Sequence, residues 1–415
     1  MLSYIYGRLV GSSAHQAIHL EPVKVHTIES NPDKRPRTLK HLLRANHVNH
    51  SILYHSLHYH NHLPHILGSA YILGASIPQL HTIYDQESKE LEPWPDSPEE
   101  ITEDDWRDFL GQRSYQRAFV DFFEDQLATR KANYEWKKVV QDFMFAPPDG
   151  GAPLINNVVA GLGHPLIHLG YAYEIDSKEV AIEALAMTAT QYDFMHKYLD
   201  NSKYSRPPPK GAFSSTSPSD ILERIRSDSR FNGLFDGHED SGDIESLFSE
   251  HEELVLEYWN AWCVGQDPVR RFQESQEAAT ALLVATVPPG THSYKFRIVH
   301  LLTTSHAVRI LLPFIPTEFH VSLVRQWWLL TLAVYIAELR PKIDPDYVPW
   351  PEGSAAKTWS YVEDKALNSG WAIDAHFVKA VRAMREAAST WGDVHERYLA
   401  SAVRFVDDFE GWTFS

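Results

Sequence analysis

A single cysteine, Cys263, stands in a chain of 415 residues. No intrachain disulfide can form, and a Cys-rich zinc or iron–sulfur site is excluded. Cationic surplus is also lacking: 38 Lys+Arg face 55 Asp+Glu, a formal charge of −17. That balance argues against a nucleic-acid partner, whose binding rests on cationic contacts to phosphate. Long hydrophobic runs are missing too. The most apolar stretch, Trp327 to Ala337, falls far short of a membrane span and reads as a buried helix. The opening MLSYIYGRLVGSSAHQ has no basic segment followed by an apolar run, so it does not read as a signal peptide. A cytoplasmic protein is the expectation.

Several catalytic signatures are missing as well. There is no His–Asp dipeptide, no Glu-x-x-His and no HExxH helix, which removes the common carboxylate-rich di-iron and zinc-protease motifs. No GxSxG elbow is present. The nearest approach to GxGxxG is GLGHPL, with Leu166 where the third glycine belongs, so a Rossmann-type nicotinamide or flavin site is not visible. What is abundant is histidine: 23 residues, seven of them between His47 and His65.

Helical periodicity with recognisable caps runs through most of the chain. Ser177 precedes KEVAIEALAMTATQYDFMHKYL, Thr102 and Asp105 have capping-box spacing before Trp106, and Asp267 precedes Pro268. Further helices are expected over roughly 38–56, 60–74, 78–87, 114–130, 132–145, 153–173, 245–264, 268–287, 293–314, 317–339, 374–391 and 395–408. No alternating strand pattern bounded by hairpin signals appears. The fold class expected is all-α, one large multi-helix domain over 1–415 with its site buried between helices. Residues 201–245, rich in Pro, Ser and Gly, read as a loop-rich insertion.

Four segments place histidines at helical spacing. In HSLHYHNHLPHILGSAYILGA, His58 and His62 are four apart, and His62 and His65 three apart, so each pair shares a helix face. In GLGHPLIHLGYAYE, His164 and His168 have the same four-residue spacing. In RIVHLLTTSHAVRILLPFIP, His300 and His306 are six apart and point different ways, one inward and one outward. Thr303 and Thr304 beside them bond either an imidazole or the backbone. In DAHFVKAVRAM, His376 and Lys379 lie on one face. Neutral imidazole is a common ligand for iron, copper, zinc and nickel, and such pairs aim two rings at one point. A buried lysine with a neutral amine can capture carbon dioxide as a carbamate, an oxygen-donor anion. Spacing alone leaves open which histidine of each segment binds.

Together the pieces HNHLPHILGSAYILGA, GHPLIHLGYAYE, HLLTTSHAVRILLP and DAHFVKAVRA, in that order, resemble the questin oxidase-like family of fungal secondary metabolism. The resemblance covers about 40–390 and is weakest over 201–245. It implies oxidative opening of an anthraquinone ring, by a non-haem iron(II) dioxygenase with iron held by four histidines and a carboxylated lysine. Carried over position by position, the ligands implied are His62, His164, His300, His376 and Lys379, with dioxygen as co-substrate. His58, His65, His168 and His306 then become supporting residues. Asn61 and Asp374 are placed to orient imidazole N–H groups, and Tyr171, Tyr173, Phe143, Phe145, Trp327 and Trp328 to wall a slot for a flat polycyclic phenol. The family also implies a second reading, a Baeyer–Villiger-type oxidation using NADPH. A third is a non-catalytic helical binding protein.

Overall fold

A computed structural model describes residues 17–129, 131–147, 149–235, 243–265, 267–348 and 357–414. The signal-peptide reading concerns a segment outside these residues. The chain is all-α, as its periodicity implies: 62% is helical, and the only sheets among the described residues are two-residue pairings.

The first helices are α1 (Lys34–Asn49), α2 (Leu63–Ile72), α3 (Ile77–Glu87), α4 (Gln116–Ala128) and α5 (Trp136–Val140), the last running into a π-type turn at Gln141–Phe145. Next come α6 (Ala160–Ile175), α7 (Lys178–Thr190), α8 (Lys197–Asp200), α9 (Pro218–Ser227), α10 (Ile244–Ala261) and α11 (Pro268–Val284). The last are α12 (Phe296–Leu311), α13 (His320–Ala337), α14 (Trp359–Asn368), α15 (Ala375–Trp391) and α16 (Arg397–Asp408). Strands β1 (Leu53–Tyr54) and β2 (Tyr59–His60) pair antiparallel, and β3 (Tyr294–Lys295) and β4 (Trp412–Thr413) pair in parallel.

Helices α6, α7, α12 and α13 are buried on almost every side, as helices apolar all round must be. The α6–α12 crossing is tight because Gly170 faces Ala307. A Cβ on Gly170 would stand 3.1 Å from the Ala307 methyl. Helices α2 and α15 pack on each other, and both reach the central pair. Caps act where the sequence places them. Ser177 accepts from the Val180 N–H, and Asp267 from the Arg270 N–H at 3.1 Å.

Three expectations change. The first helix ends at Asn49 instead of continuing to 56, because the chain turns into the β1–β2 hairpin. The side-chain amide of Gln116 bonds both the N–H and the C=O of Leu53, replacing the helical ladder there. His55, Ser56 and Leu57 form the tip with left-handed φ of 48°, 57° and 67°. His58 is therefore on a turn, not on a helix face with His62. Only half of the Thr102–Asp105 box forms: the Asp105 carboxylate accepts from the Thr102 N–H and hydroxyl, the hydroxyl accepts nothing from the Asp105 N–H, and only a 3-10 turn follows at Trp106–Phe109. The segment 201–245 is not simply a loop: Ser217 caps α9, and Ile221, Leu222 and Ile225 are fully buried in the main core; its residues 236–242 lie outside the described set. The sequence reading also lacked α14. No helix among the described residues is long and apolar enough to cross a membrane.

Ile221→Ala tests whether α9 is part of the core. Removing a fully buried isoleucine side chain lowers the unfolding free energy by about 2–4 kcal/mol, read by urea titration. A change within about 0.5 kcal/mol, as at a surface site, would mean that α9 carries no packing.

Candidate metal centre

Four helical elements meet through imidazoles. His62 sits at the N-cap of α2, His164 at the start of the regular part of α6, His300 on α12 and His376 in the first turn of α15. The His62 and His164 Nε2 atoms are 2.8 Å apart, and the His300 and His376 Nε2 atoms 3.2 Å. Ring centroids of neighbours around the set lie 4.5–5.0 Å apart. The ligand atoms of His62, His164 and His376 all fall within 4.8 Å of one another.

An unusual turn delivers His164. Gly161, Leu162 and Gly163 all have left-handed φ (55°, 56° and 77°) before the regular helix resumes at His164–Pro165. A Cβ on Gly163 would come within 2.3 Å of the Thr304 methyl, and one on Gly161 would collide with Gln191 and His60. The GLG of GLGHPL thus serves a close approach, not a phosphate loop. The same turn brings the Gly161 carbonyl to accept from His164 Nδ1 at 2.6 Å. His300 Nδ1 likewise donates to the Phe296 carbonyl at 3.0 Å. In both rings the proton sits on Nδ1 and the lone pair on Nε2 faces the cluster.

Burial drives all four imidazoles neutral. It pushes His62, His164 and His376 well below the ordinary value and His300 to about 3, with the charge of Lys379 adding to the effect in each. Lys379 lies one turn beyond His376 and is 1% exposed. Its Nζ is 3.5 Å from His65 Nδ1. Burial lowers its amine from 10.5 to about 7, against the opposing pull of Asp374 and Glu87.

The Nε2 atoms of His164 and His300 accept at these contacts, either from an Nε2–H of His62 or His376 or by sharing a cation with those rings. Two imidazoles bound at about 2.1 Å and at right angles stand about 3.0 Å apart, close to both observed separations. The donor set therefore fits a borderline transition metal.

The other predicted residues divide. His65 and His168 are adjacent, Nε2 to Nδ1 at 2.7 Å, behind the cluster. His58 is on the exposed hairpin tip. His306 is buried rather than outward, but it faces Tyr171 instead of the cluster. Thr303 and Thr304 bond back to helix carbonyls. Asn61 bonds Asn46, the Ser51 carbonyl and the Leu63 N–H, and Asp374 caps α15, so neither orients an imidazole. Of the proposed walls, only Tyr171 stacks on a histidine of this region, His65, at 5.4 Å. Phe143 is packed among Trp106, Phe122 and Phe123, and Trp327 and Trp328 are core residues.

Sequence reasoning missed two features. His60 lies flat on His164, centroids 3.7 Å apart and 5° between planes, held by the Gln191 side chain. An aromatic rim leads outward: Phe296 is 4.6 Å from His376 and 4.8 Å from Phe414, and Trp412 donates to the Asp374 carboxylate. The β3–β4 pairing holds this last segment beside the site. Proximity to His376 in space, not in sequence, is what marks these residues.

Comparison with known proteins agrees with the resemblance. A family model described as Questin oxidase-like matches residues 59–384, a span that contains all five candidate ligands. A Baeyer-Villiger oxidase of Pestalotiopsis microspora is 26% identical over 85% of this chain and 82% of its own length. A Baeyer-Villiger oxidase of Emericella nidulans is 24% identical over 88% and 84%. A questin oxidase of Aspergillus fumigatus is 24% identical over 86% and 82%.

The buried amine sets a pH dependence. An unfolded chain holds the Lys379 proton up to about pH 10.5, and the folded chain releases it near 7. Between those values the unfolded state binds more protons, so the metal-free protein gains stability as pH rises. Below pH 7 the full cost remains, on the order of 5 kcal/mol. With metal and carbon dioxide excluded, Lys379→Met is expected to exceed the parent in unfolding free energy by several kcal/mol at pH 6. The gap should shrink toward pH 10. A pH-independent difference in urea melts would contradict the neutral amine.

Proposed function

The chain belongs to the questin oxidase-like family, and from that premise we propose that it is an oxidoreductase opening a ring of an anthraquinone-type molecule with dioxygen. The observation that carries the reading is the meeting of the His62, His164 and His376 ligand atoms, with His300 against His376 and a buried lysine alongside. In this reading His62, His164, His300 and His376 hold iron(II), with Lys379 as a carbamate. When bound, the iron supplies the one-electron chemistry that lets dioxygen react with a closed-shell organic molecule.

The chain's own groups prepare the site. The Gly161 and Phe296 carbonyls keep the protons of His164 and His300 on Nδ1, so their Nε2 lone pairs stay available. The neutral Lys379 amine is a nucleophile for carbon dioxide. An N–C bond forms, one N–H proton leaves, and the side chain becomes a monoanionic oxygen donor. That anion balances part of a divalent charge in a place where no carboxylate stands among the ligands. Phe296, Trp412 and Phe414 offer flat faces on which a fused-ring phenol stacks on its way to His376. Burial excludes bulk water from the reacting carbons. A substrate at the quinol level brings the electrons that dioxygen consumes, so no nicotinamide is needed.

The names of the relatives favour a second reading, Baeyer–Villiger oxidation, for which NADPH would serve as reductant. The two separate cleanly. Protein purified anaerobically and supplied with iron(II) is expected to hold one iron per chain. It should consume dioxygen with a chemically reduced hydroxyanthraquinone and no NADPH. His164→Ala and His300→Ala should each lose the iron and at least 100-fold in rate. Stoichiometric NADPH oxidation per turnover, with no dependence on iron, would select the Baeyer–Villiger reading instead.

A further inference from the structure

Behind Lys379, buried ionisable groups continue in a line of which metal binding uses only Lys379 itself. Lys379 Nζ faces His65 Nδ1 at 3.5 Å, and His65 Nε2 faces His168 Nδ1 at 2.7 Å. His168 Nε2 is 3.1 Å from Glu183 Oε2, and Glu183 Oε1 is 2.9 Å from His47 Nδ1. His47 Nε2 is 3.0 Å from Glu124 Oε1. The line crosses from α15 through α2, α6, α7 and α1 to α4. The side chains of His168, Glu183 and His47 are 0%, 2% and 6% exposed, whereas Glu124 is 44% exposed. Only its last member meets solvent.

The hydrogens in this line have a direction. Burial would raise the Glu183 carboxyl, but hydrogen bonds from His168 and His47 outweigh it and hold the group below the usual carboxylate range. An ionised carboxylate only accepts, so His168 Nε2 and His47 Nδ1 both donate to it. His168 Nδ1 is then an acceptor, His65 Nε2 its donor, and His65 Nδ1 the acceptor toward Lys379. Every donor between the centre and Glu183 points outward. Burial opposes charge on His47, but hydrogen bonds to Glu124 and Glu183 lift it to about 10. It is a cation that donates to a carboxylate on either side. His65 and His168 thus carry Nε2 protons, the opposite tautomer from His164 and His300.

We propose that His65, His168, Glu183, His47 and Glu124 form a proton relay joining the buried centre to solvent. The inference rests on the reading of the centre as one that oxidises a phenolic substrate. As the substrate O–H bond breaks, its electron pair stays on oxygen; the Lys379 side chain takes the proton and gives its own N–H proton to His65 Nδ1 across the 3.5 Å contact. Each ring gains a proton on one nitrogen as it gives up that on the other, so neither changes its net charge. The proton arriving at Glu183 neutralises the carboxylate. His47 then passes its Nε2 proton to Glu124 and water, so one proton has entered and one has left; rotation of the three rings and of the Glu183 carboxyl, with return of the Glu183 proton to His47, restores the starting hydrogens before the next turnover.

The test combines a spectroscopic readout with kinetics. In ¹⁵N NMR of the protein with histidine labelled, His168 is expected as the Nε2–H tautomer and His164 as the Nδ1–H tautomer. A His168 proton on Nδ1 would break the line and overturn the relay. In the iron-loaded enzyme with a reduced hydroxyanthraquinone, Glu183→Gln and the half-exposed Glu124→Gln are expected to keep iron and KM. Each should lose at least 10-fold in kcat with a larger solvent-deuterium effect, and small buffers such as imidazole should restore Glu124→Gln. If Glu183→Gln does not fold, Glu124→Gln decides alone. Iron-loaded variants turning over at the parent rate would overturn the relay. A parent that takes up no iron would overturn the proposed function instead, and the tautomer measurement would still judge the relay.

Discussion

Desolvation keeps His62, His164, His300 and His376 uncharged and brings the amine of Lys379 down to about 7, and the arrangement around them depends on that. An imidazolium or ammonium taken out of water without a partner costs several kcal/mol, so such groups shed their protons instead. Once neutral, each imidazole needs a hydrogen-bond acceptor for its one N–H and leaves one lone pair. Backbone carbonyls of Gly161 and Phe296 take those protons for His164 and His300. The Nε2 lone pairs of these two rings are left facing His62 and His376, an arrangement that can take a cation. Where the interior does hold charge, at His47 and Glu183, the charges are paired and hydrogen-bonded.

Local backbone serves the same end. The left-handed turn at Gly161–Gly163 is unfavourable for ordinary residues and sits immediately before a proposed ligand. It also lets α6 press against α12, where Thr304 occupies the space a Gly163 side chain would need. Gly170 against Ala307 continues that close packing one turn after another. The result is that histidines from segments a hundred residues apart meet with ring spacings of about one ring width.

Helix periods and caps made the all-α class and most helix ranges legible in the sequence, because amphipathic spacing and Ser, Asp and Pro starts act locally. Four-in-register histidine segments also made the family legible. What failed depends on tertiary partners. The hairpin at 53–60 exists because Gln116, more than fifty residues on, takes the Leu53 backbone groups. Helix α9 looked like a loop because its flanks are polar, whereas Ile221, Leu222 and Ile225 find the core only in three dimensions. His60, Phe296 and Trp412 carry no spacing signal relative to the ligands. The chosen histidine of each segment came from the resemblance. Spacing alone treated His62 and His65, or His164 and His168, alike, and the structure places His62 and His164 beside His376 with His65 and His168 paired behind them.

The most direct measurement of the central claim is an anomalous-scattering map at the iron absorption edge, from crystals of protein prepared with iron(II) and carbon dioxide. The account predicts one peak, in bonding distance of the Nε2 atoms of His62, His164, His300 and His376, with extra density beyond Lys379 Nζ. A peak elsewhere, or none among these four rings, would contradict it.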